Sequence, residues 1–348
     1  MSHRVVTFGE IMLRLKSPAH ERLLQSPWLE ATFGGGEANV AASLAAFGVE
    51  VDFVTALPAN ALGEACLTAL RSLGIGTSHI VRAGERLGLY FLEAGSNQRP
   101  SRVLYDRSGS AFMLTPPQAY DWPRLLDGAS WFHVSGITPA LSENTAAAAL
   151  AAMRTARQLG LTVSCDYNFR KNLWKYGRSA QQVMPELVRL CDVGMANEED
   201  CQKALGISAQ GIEASGDPDD SALNLAAFQA LSDKVLAAFP GLRQQAITLR
   251  ESVNADRNAW SACLNNRQTF LHSVRYDLSD VVDRVGTGDA FAAGLIYGSL
   301  TGLEDRGTLE FAAAASCLKH TIPGDMNRST VAEVEQLLRE GGSGRISR

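Results

Sequence analysis

The sequence predicts an α/β protein built as a three-layer α/β/α sandwich, and three observations carry that expectation. Short β-branched runs alternate with alanine-rich stretches of helical periodicity along most of the chain. The helical stretches are long enough to return the chain for parallel pairing, which favours right-handed βαβ units. At 46% hydrophobic and 20% charged residues over 348 positions, the composition is that of a globular chain able to bury a sizeable core.

The elements follow in order. VVTF at 5–8 reads as the first strand. GGGEANVAASLAAFG, residues 34–48, opens with glycines and then sets Val40, Leu44 and Phe47 on one apolar stripe, the spacing of a helix face. A strand at 51–57 and a helix near 62–73 come next, and later strands are expected at 131–136, 161–168, 193–197 and 245–250. Two stretches, 12–33 and 85–106, break this rhythm with short strands and no helix to link them. RLGLYFLEA and SRVLYD face each other as a hairpin across the turn GSNQRP, so a small antiparallel sheet is expected to project from the core and act as a lid. A single core stops growing near 250–300 residues, which also favours an appendage. The expected organisation is one domain over 1–340 that carries this lid. Residues 208–224 are expected to form a solvated surface loop and 341–348 a flexible tail.

Charge and motifs exclude several functions. Lys and Arg number 32 against 37 Asp and Glu, a net charge of −5, which argues against nucleic-acid or anionic-membrane partners. Of the six cysteines, even the nearest pair, Cys191 and Cys201, is too far apart for a CxxC metal or redox site, so reduced thiols and a cytoplasmic location are expected. The N-terminal MSHRVVTFGEIMLRLK lacks the continuous apolar stretch of a signal peptide, and no apolar run is long enough to span a bilayer. No glycine precedes a lysine, which removes the P-loop, and HExxH, GxSxG and the protein-kinase HRD set are absent. GTGDAF lacks the third glycine of a dinucleotide fingerprint and lies far from the N-terminal strand.

The most informative segment is DRVGTGDAFAAGLIYG, residues 283–298. Gly286, Thr287 and Gly288 at a helix start let backbone N–H groups converge where the helix dipole adds positive potential, an anion hole suited to a phosphoryl group in transfer. A carboxylate there, Asp289, repels a plain phosphate but suits a base that takes a proton from an attacking hydroxyl. Taken alone, the segment reads more readily as an ordinary helix start with an acidic first turn. In FGGGEAN, Gly34, Gly35 and Gly36 permit close backbone approach to a ligand, and Asn39 offers both donor and acceptor to a hydroxyl. That segment alone equally describes a turn that packs a small-residue helix on the sheet.

GGGEAN near the N-terminus with GTGDAFAAG near the C-terminus resembles the ribokinase-like (PfkB) carbohydrate kinase family, over about residues 4–335. The resemblance implies a ribokinase-like sandwich with a β-sheet lid over the sugar. It also implies Asp289 as catalytic base, with the amides of Gly286, Thr287, Gly288 and Asp289 as the anion hole. RLGLYFLEAG, VLYDRSGSAF, DYNFRKNLW, ANEED and GDMN resemble the branch that phosphorylates 2-keto-3-deoxygluconate. In that branch Gly35, Gly36, Asn39, Tyr90, Tyr105, Arg107, Asn168 and Arg170 would hold the sugar acid. Guanidinium groups suit its carboxylate, whereas a neutral sugar offers them no partner. Without the resemblance the two arginines also read as surface salt bridges and the tyrosines as lid core. ATP would meet Asn197, Thr248, Arg250, Ser252, Gly286, Gly288, Asp325 and Asn327. Within ANEED, Glu198 and Glu199 fall in the region that acts on Mg²⁺ through water, with Glu199 the candidate. Thr248 is expected to end its strand, and TLRESVNADRN departs from the glycine-containing loop usual there.

The implied reaction is ATP-dependent, Mg²⁺-assisted phosphorylation of the terminal hydroxyl of 2-keto-3-deoxygluconate. The alternatives are a kinase for another substrate, such as fructose or 5-keto-2-deoxygluconate, and a non-catalytic sugar- or nucleotide-binding regulator. A homodimer through the exposed lid edge, or a higher homo-oligomer, is also expected, since unpaired strands invite pairing.

Overall fold

The computed structural model describes residues 3–197, 199–210 and 224–341. Among these residues a nine-stranded sheet forms the middle layer. Its order is Phe270–His272, Asn258–Asn265, Gln244–Ser252, Val193–Asn197, Thr162–Asp166, Trp131–Ser135, Arg4–Phe8 and Glu50–Val54, and Tyr276–Leu278 also pairs with Asn258–Asn265. The six strands from Gln244–Ser252 to Glu50–Val54 run parallel, and those beyond Gln244–Ser252 turn antiparallel. Alternating side chains along each strand reach opposite faces: Val5 packs into one apolar cluster, Val6 and Phe8 into the other. The Gly36–Ala46, Thr287–Leu300 and Asp305–Lys319 helices contribute to the Val5 cluster. The Glu143–Gln158 and Ala180–Val188 helices contribute to the Phe8 cluster. These are the three layers the sequence predicts.

The strands anticipated at 5–8, 131–136, 161–168 and 193–197 are present within a few residues, as are the helices near 34–48 and 62–73. The second helix is capped by Asn60, whose Oδ1 accepts from the Leu62 and Gly63 amides, both at 3.1 Å. Two expectations need correction. The strand holding Thr248 does not stop there but runs on to Ser252, pairing Arg250 with Trp260 and Ser252 with Asn258. TLRESVNADRN is therefore largely a hairpin, whose returning strand Asn258–Asn265 is buried along its whole length.

The lid is a separate four-stranded sheet in the order Glu30–Gly34, Met12–Lys16, Leu89–Glu93, Arg102–Asp106. Its outer pairs are antiparallel hairpins as expected, but Met12–Lys16 pairs with Leu89–Glu93 in parallel. The reason lies in the intervening chain. The Gly36–Ala46 helix, the core strand Glu50–Val54 and the Ala61–Ser72 helix return it to the starting edge, so a whole core unit serves as the crossover. Of the anticipated loop at 208–224, residues 211–223 lie outside the described residues, as do 342–348 of the anticipated tail.

Candidate active site

The parallel strands all end on one edge of the sheet, and in open α/β sheets that edge is where ligands sit. A cleft of about 450 Å³ opens there beneath the lid. Glu10 follows the first strand, Ile137 the Trp131–Ser135 strand, Asn168 and Arg170 the Thr162–Asp166 strand, and Asp200 the Val193–Asn197 strand. Gly35, Gly36, Asn39, Tyr90, Tyr105, Asn197, Thr248, Arg250, Gly286, Thr287, Gly288, Asp289 and Asp325 line the same space. Segments far apart in the chain therefore meet at one site, with Asn39 and Asp289 joined directly: Asn39 Nδ2 donates to Asp289 Oδ2 at 2.7 Å.

The floor of the cleft is the start of the Thr287–Leu300 helix. Gly286 caps it in the left-handed region at φ 83°, and a Cβ there would come within 1.9 Å of the Asp325 carbonyl oxygen, so both conformation and space require glycine. The first intrahelical bond is that of the Ala290 amide to the Gly286 carbonyl, 2.9 Å, which leaves the amides of Thr287, Gly288 and Asp289 at the open N-terminus. Gly294, one face further along, lets this helix press against Ala312 of the next, and a Cβ there would lie 2.5 Å from the Ala312 Cα. The anion hole is thus anchored from behind by tight helix packing.

Asp289 is enclosed by protein except toward the cleft. Loss of hydration pushes its pKa up to about 7, the Glu37 and Asp325 carboxyls push the same way, and the Asn39 hydrogen bond and the Arg170 charge oppose them. Glu37 is buried behind it and is raised by the same loss of hydration; its Oε1 accepts from the Ser135 amide, the Ser135 hydroxyl and the Thr138 hydroxyl, each at 2.8 Å. Asp166 is held well above the usual carboxylate range by burial and by Asp200 and Asp289. It accepts from the Asn168 amide at 3.1 Å, and Asn168 takes a left-handed φ of 35° to bring its own side chain back over the same carboxylate. Among the described residues Arg170 bonds only its neighbour's carbonyl, Phe169 O at 3.0 Å, and its exposed guanidinium supplies positive charge beside Asp166, Asp200 and Asp289.

The lid is bolted to the anion hole by charge. Arg14, on the lid strand Met12–Lys16 and 1% exposed, spans the Asp283 and Asp325 carboxylates. Tyr90 from the neighbouring lid strand places its hydroxyl 2.6 Å from both Asp325 oxygens. Asp325 therefore borders the cleft, but its carboxylate is engaged by lid residues, a different role from the nucleotide contact expected of it. Arg107 lines the cleft as expected and is at the same time engaged in a buried pair with Glu10. Arg250 lies 3.5 Å from the Thr287 hydroxyl and over the Trp260 ring at 5.4 Å, which places it at the anion hole.

Three expected residues lie away from the cleft. Ser252 lines a second cavity of about 360 Å³ between the lid hairpin and the 252–255 turn. Asn327 is buried, its Oδ1 capping the Ser329 amide at 3.0 Å. Glu199 does not reach the cleft and Glu198 lies outside the described residues, whereas Asp200 lines it, each oxygen taking a backbone amide, Phe169 at 2.8 Å and Asn197 at 2.9 Å. Sequence reasoning missed Asp200, Glu10, Glu37 and Arg14. The three-residue step from Asn197 to Asp200 was the signal available for the first, since it puts both on one face of a helical turn.

An anion hole at a helix start, a carboxyl poised near neutrality beside it and a polar cleft under a lid define a small-molecule kinase. The sequence matches the profile of the pfkB family carbohydrate kinases over residues 2–238 and 259–331, and the chain belongs to that family. It is 31% identical over 346 residues to 2-dehydro-3-deoxygalactonokinase of Haloferax volcanii, covering 99% of each chain. It is 28% identical to 2-dehydro-3-deoxygluconokinase of Bacillus subtilis, covering 92% of this chain and 91% of the other. The crystal structure of 2-dehydro-3-deoxygluconokinase from Thermotoga maritima superposes with a TM-score of 0.90 at 45% identity, covering 97% of this chain and 99% of that one. The protein is a carbohydrate kinase with the ribokinase-like fold.

Proposed function

We propose that this kinase transfers the γ-phosphoryl group of ATP to the terminal hydroxyl of 2-keto-3-deoxygluconate, giving the 6-phosphate. The observation that carries the reading is Arg170, an exposed guanidinium in the cleft beside Asp289 that bonds no carboxylate among the described residues. A sugar acid supplies the missing anion, and a neutral sugar does not. The names of the Thermotoga and Bacillus relatives agree with it. The Haloferax relative, named for the galactonate epimer, favours a second reading in which that epimer is also a substrate.

In this reading Asp289 accepts the hydroxyl proton as the oxygen attacks phosphorus in line. Asn39 holds the carboxylate in place, and the amides of Thr287, Gly288 and Asp289 receive the charge that gathers on the phosphoryl oxygens. Arg250 faces the phosphates, and the sugar lies between Tyr105, Asn168 and Arg170 beneath the lid. No cluster of three metal-ligating side chains occurs among the described residues, which suits Mg²⁺, an ion that rests largely on phosphate oxygens and water. When bound, Mg²⁺ would neutralise phosphate charge, with Asp200 in place of Glu199 orienting its water. The free cysteines fit a reducing cytoplasm, and no helix among the described residues is long and apolar enough to cross a membrane. We also infer a homodimer through the lid.

Coupled measurement of ADP release with 2-keto-3-deoxygluconate, its galactonate epimer, 5-keto-2-deoxygluconate and fructose tests the assignment. The highest kcat/KM is expected for the 2-keto-3-deoxy acids, and a preference for fructose would overturn it.

A further inference from the structure

We infer that Glu10 is a positioning residue for the sugar-acid site, fixing Arg107 so that one edge of its guanidinium faces the substrate. The proposal rests on the sugar-acid reading above. Glu10 stands where the first core strand, Arg4–Phe8, gives way to the lid strand Met12–Lys16, and Arg107 directly follows the outermost lid strand, Arg102–Asp106. The two are 4% and 8% exposed, and both border the cleft.

The fork is divided by this contact. Arg107 Nε donates to Glu10 Oε2 at 2.7 Å and Nη2 donates to the same oxygen, so one side of the guanidinium is consumed. Glu10 Oε1 is occupied in turn by the Ser110 hydroxyl, which fixes the carboxylate from its far side. The guanidinium also lies over Tyr105, whose ring centre is 5.5 Å from Cζ. Nη1 alone has no partner among the described residues. A planar donor group held at three points presents its remaining N–H groups in one direction, the preorganisation that a bound carboxylate needs.

The arrangement also settles how charge is divided. Glu10 neutralises Arg107, so Arg107 contributes directed hydrogen bonds, while Arg170, bonded to no carboxylate, contributes the attractive field. Glu10 never touches the reacting atoms, and its removal should act on sugar-acid affinity through Arg107 and leave the phosphoryl-transfer machinery alone.

A double-mutant cycle on the full-length enzyme tests this, with KM for 2-keto-3-deoxygluconate, KM for ATP and kcat read for each variant. Glu10→Ala is expected to raise KM for the sugar acid about thirtyfold, the low end of the scale for truncating one member of a buried charge pair, with kcat and KM for ATP near wild type. Arg107→Ala is expected to raise it at least as much, and the double variant is expected to match Arg107→Ala alone. Wild-type sugar-acid KM in Glu10→Ala, beside a raised value in Arg107→Ala, would overturn the proposal and leave the sugar-acid reading standing. So would a double variant whose loss is the product of the two single losses, since Glu10 would then act independently of Arg107. No effect in Arg107→Ala would also overturn this proposal, while the sugar-acid reading would still stand on Arg170 and would fall only if Arg170→Ala were silent as well. If Glu10→Ala does not fold, Glu10→Gln enters the same cycle: it keeps an acceptor for Nε, so a smaller KM rise is expected that vanishes in the Arg107→Ala background.

Discussion

Asp289 must be ionised to accept a proton, yet its surroundings oppose ionisation and hold its pKa at about 7. The base form therefore accumulates as pH rises through neutrality, and kcat/KM is expected to climb up to about pH 7 and level above it. A profile flat from pH 5 to pH 8 would remove Asp289 from the role. The same shift carries a stability cost. The unfolded chain ionises this carboxyl near its ordinary value of 3.8 while the folded protein keeps it protonated, so stability falls as pH rises between about 4 and 7. Asp289→Asn should abolish turnover, spare ATP affinity and raise Tm by a few degrees at pH 8, with the gain fading below pH 4; activity and calorimetry on one preparation check both. Arg170→Ala should raise KM for a sugar acid more than tenfold while KM for ATP stays near wild type, because it removes a guanidinium that donates to no carboxylate among the described residues. Asp289 and Asn39 were legible because each sits in a compact glycine-rich string. Glu10, Arg14 and Asp283 were not: Glu10 pairs with Arg107 and Arg14 with Asp283 only after the lid folds onto the core, and long-range ion pairs leave no local pattern.

At the scale of elements, the start of the Thr287–Leu300 helix separates two effects of the same substitution. Gly286→Ala meets the Asp325 carbonyl at 1.9 Å and a left-handed backbone, so it should cost both fold stability and activity. At Gly288 a Cβ meets nothing within 4 Å, so Gly288→Ala should keep Tm at or above wild type. Its methyl enters the space above the first turn, however, and phosphoryl transfer should fall by about a hundredfold, the scale for losing one donor of an oxyanion hole. Thermal unfolding beside single-turnover kinetics distinguishes the pair; a drop in Tm for Gly288→Ala, or its full activity, would contradict this geometry. Helices and parallel strands were readable because periodicity is a local property. The parallel pairing inside the lid was not, since it depends on an entire core unit serving as the crossover. Nor was the extension past Arg250 to Ser252, where Glu251 and Ser252 continue the strand as one arm of a hairpin whose buried return carries Trp260. The tip of the lid hairpin also meets the following turn: the Asn97 amide donates to Asp256 Oδ2 at 2.7 Å, and the Ala255 amide donates to Asn97 O at 2.8 Å. Local composition gives no hint of this contact.

At the scale of the whole molecule, the lid leaves two strand edges open among the described residues, Glu30–Gly34 and Arg102–Asp106, and the second carries the more exposed apolar side chain. Arg102–Asp106 pairs on one side with Leu89–Glu93 and has no ladder on the other among the described residues. Val103 and Tyr105 turn toward the cleft, so the intervening Leu104, 60% exposed, points to the opposite face. An unpaired edge with an exposed leucine is a surface that a second copy can cover, by strand pairing and by burial of the side chain. The inferred dimer would brace the lids of both protomers over their sugars without touching either anion hole. Leu104→Glu places a charge in that contact and should convert the dimer to a monomer in sedimentation velocity. The monomer should keep its fold and its affinity for ATP, while KM for the sugar acid rises because each lid has lost its support. If wild-type enzyme sediments as a monomer, or if Leu104→Glu stays dimeric, a second copy does not cover this edge, and lid support must come from contacts within the chain, those of Arg14 and Tyr90 to Asp325, of Arg14 to Asp283 and of Asn97 to Asp256.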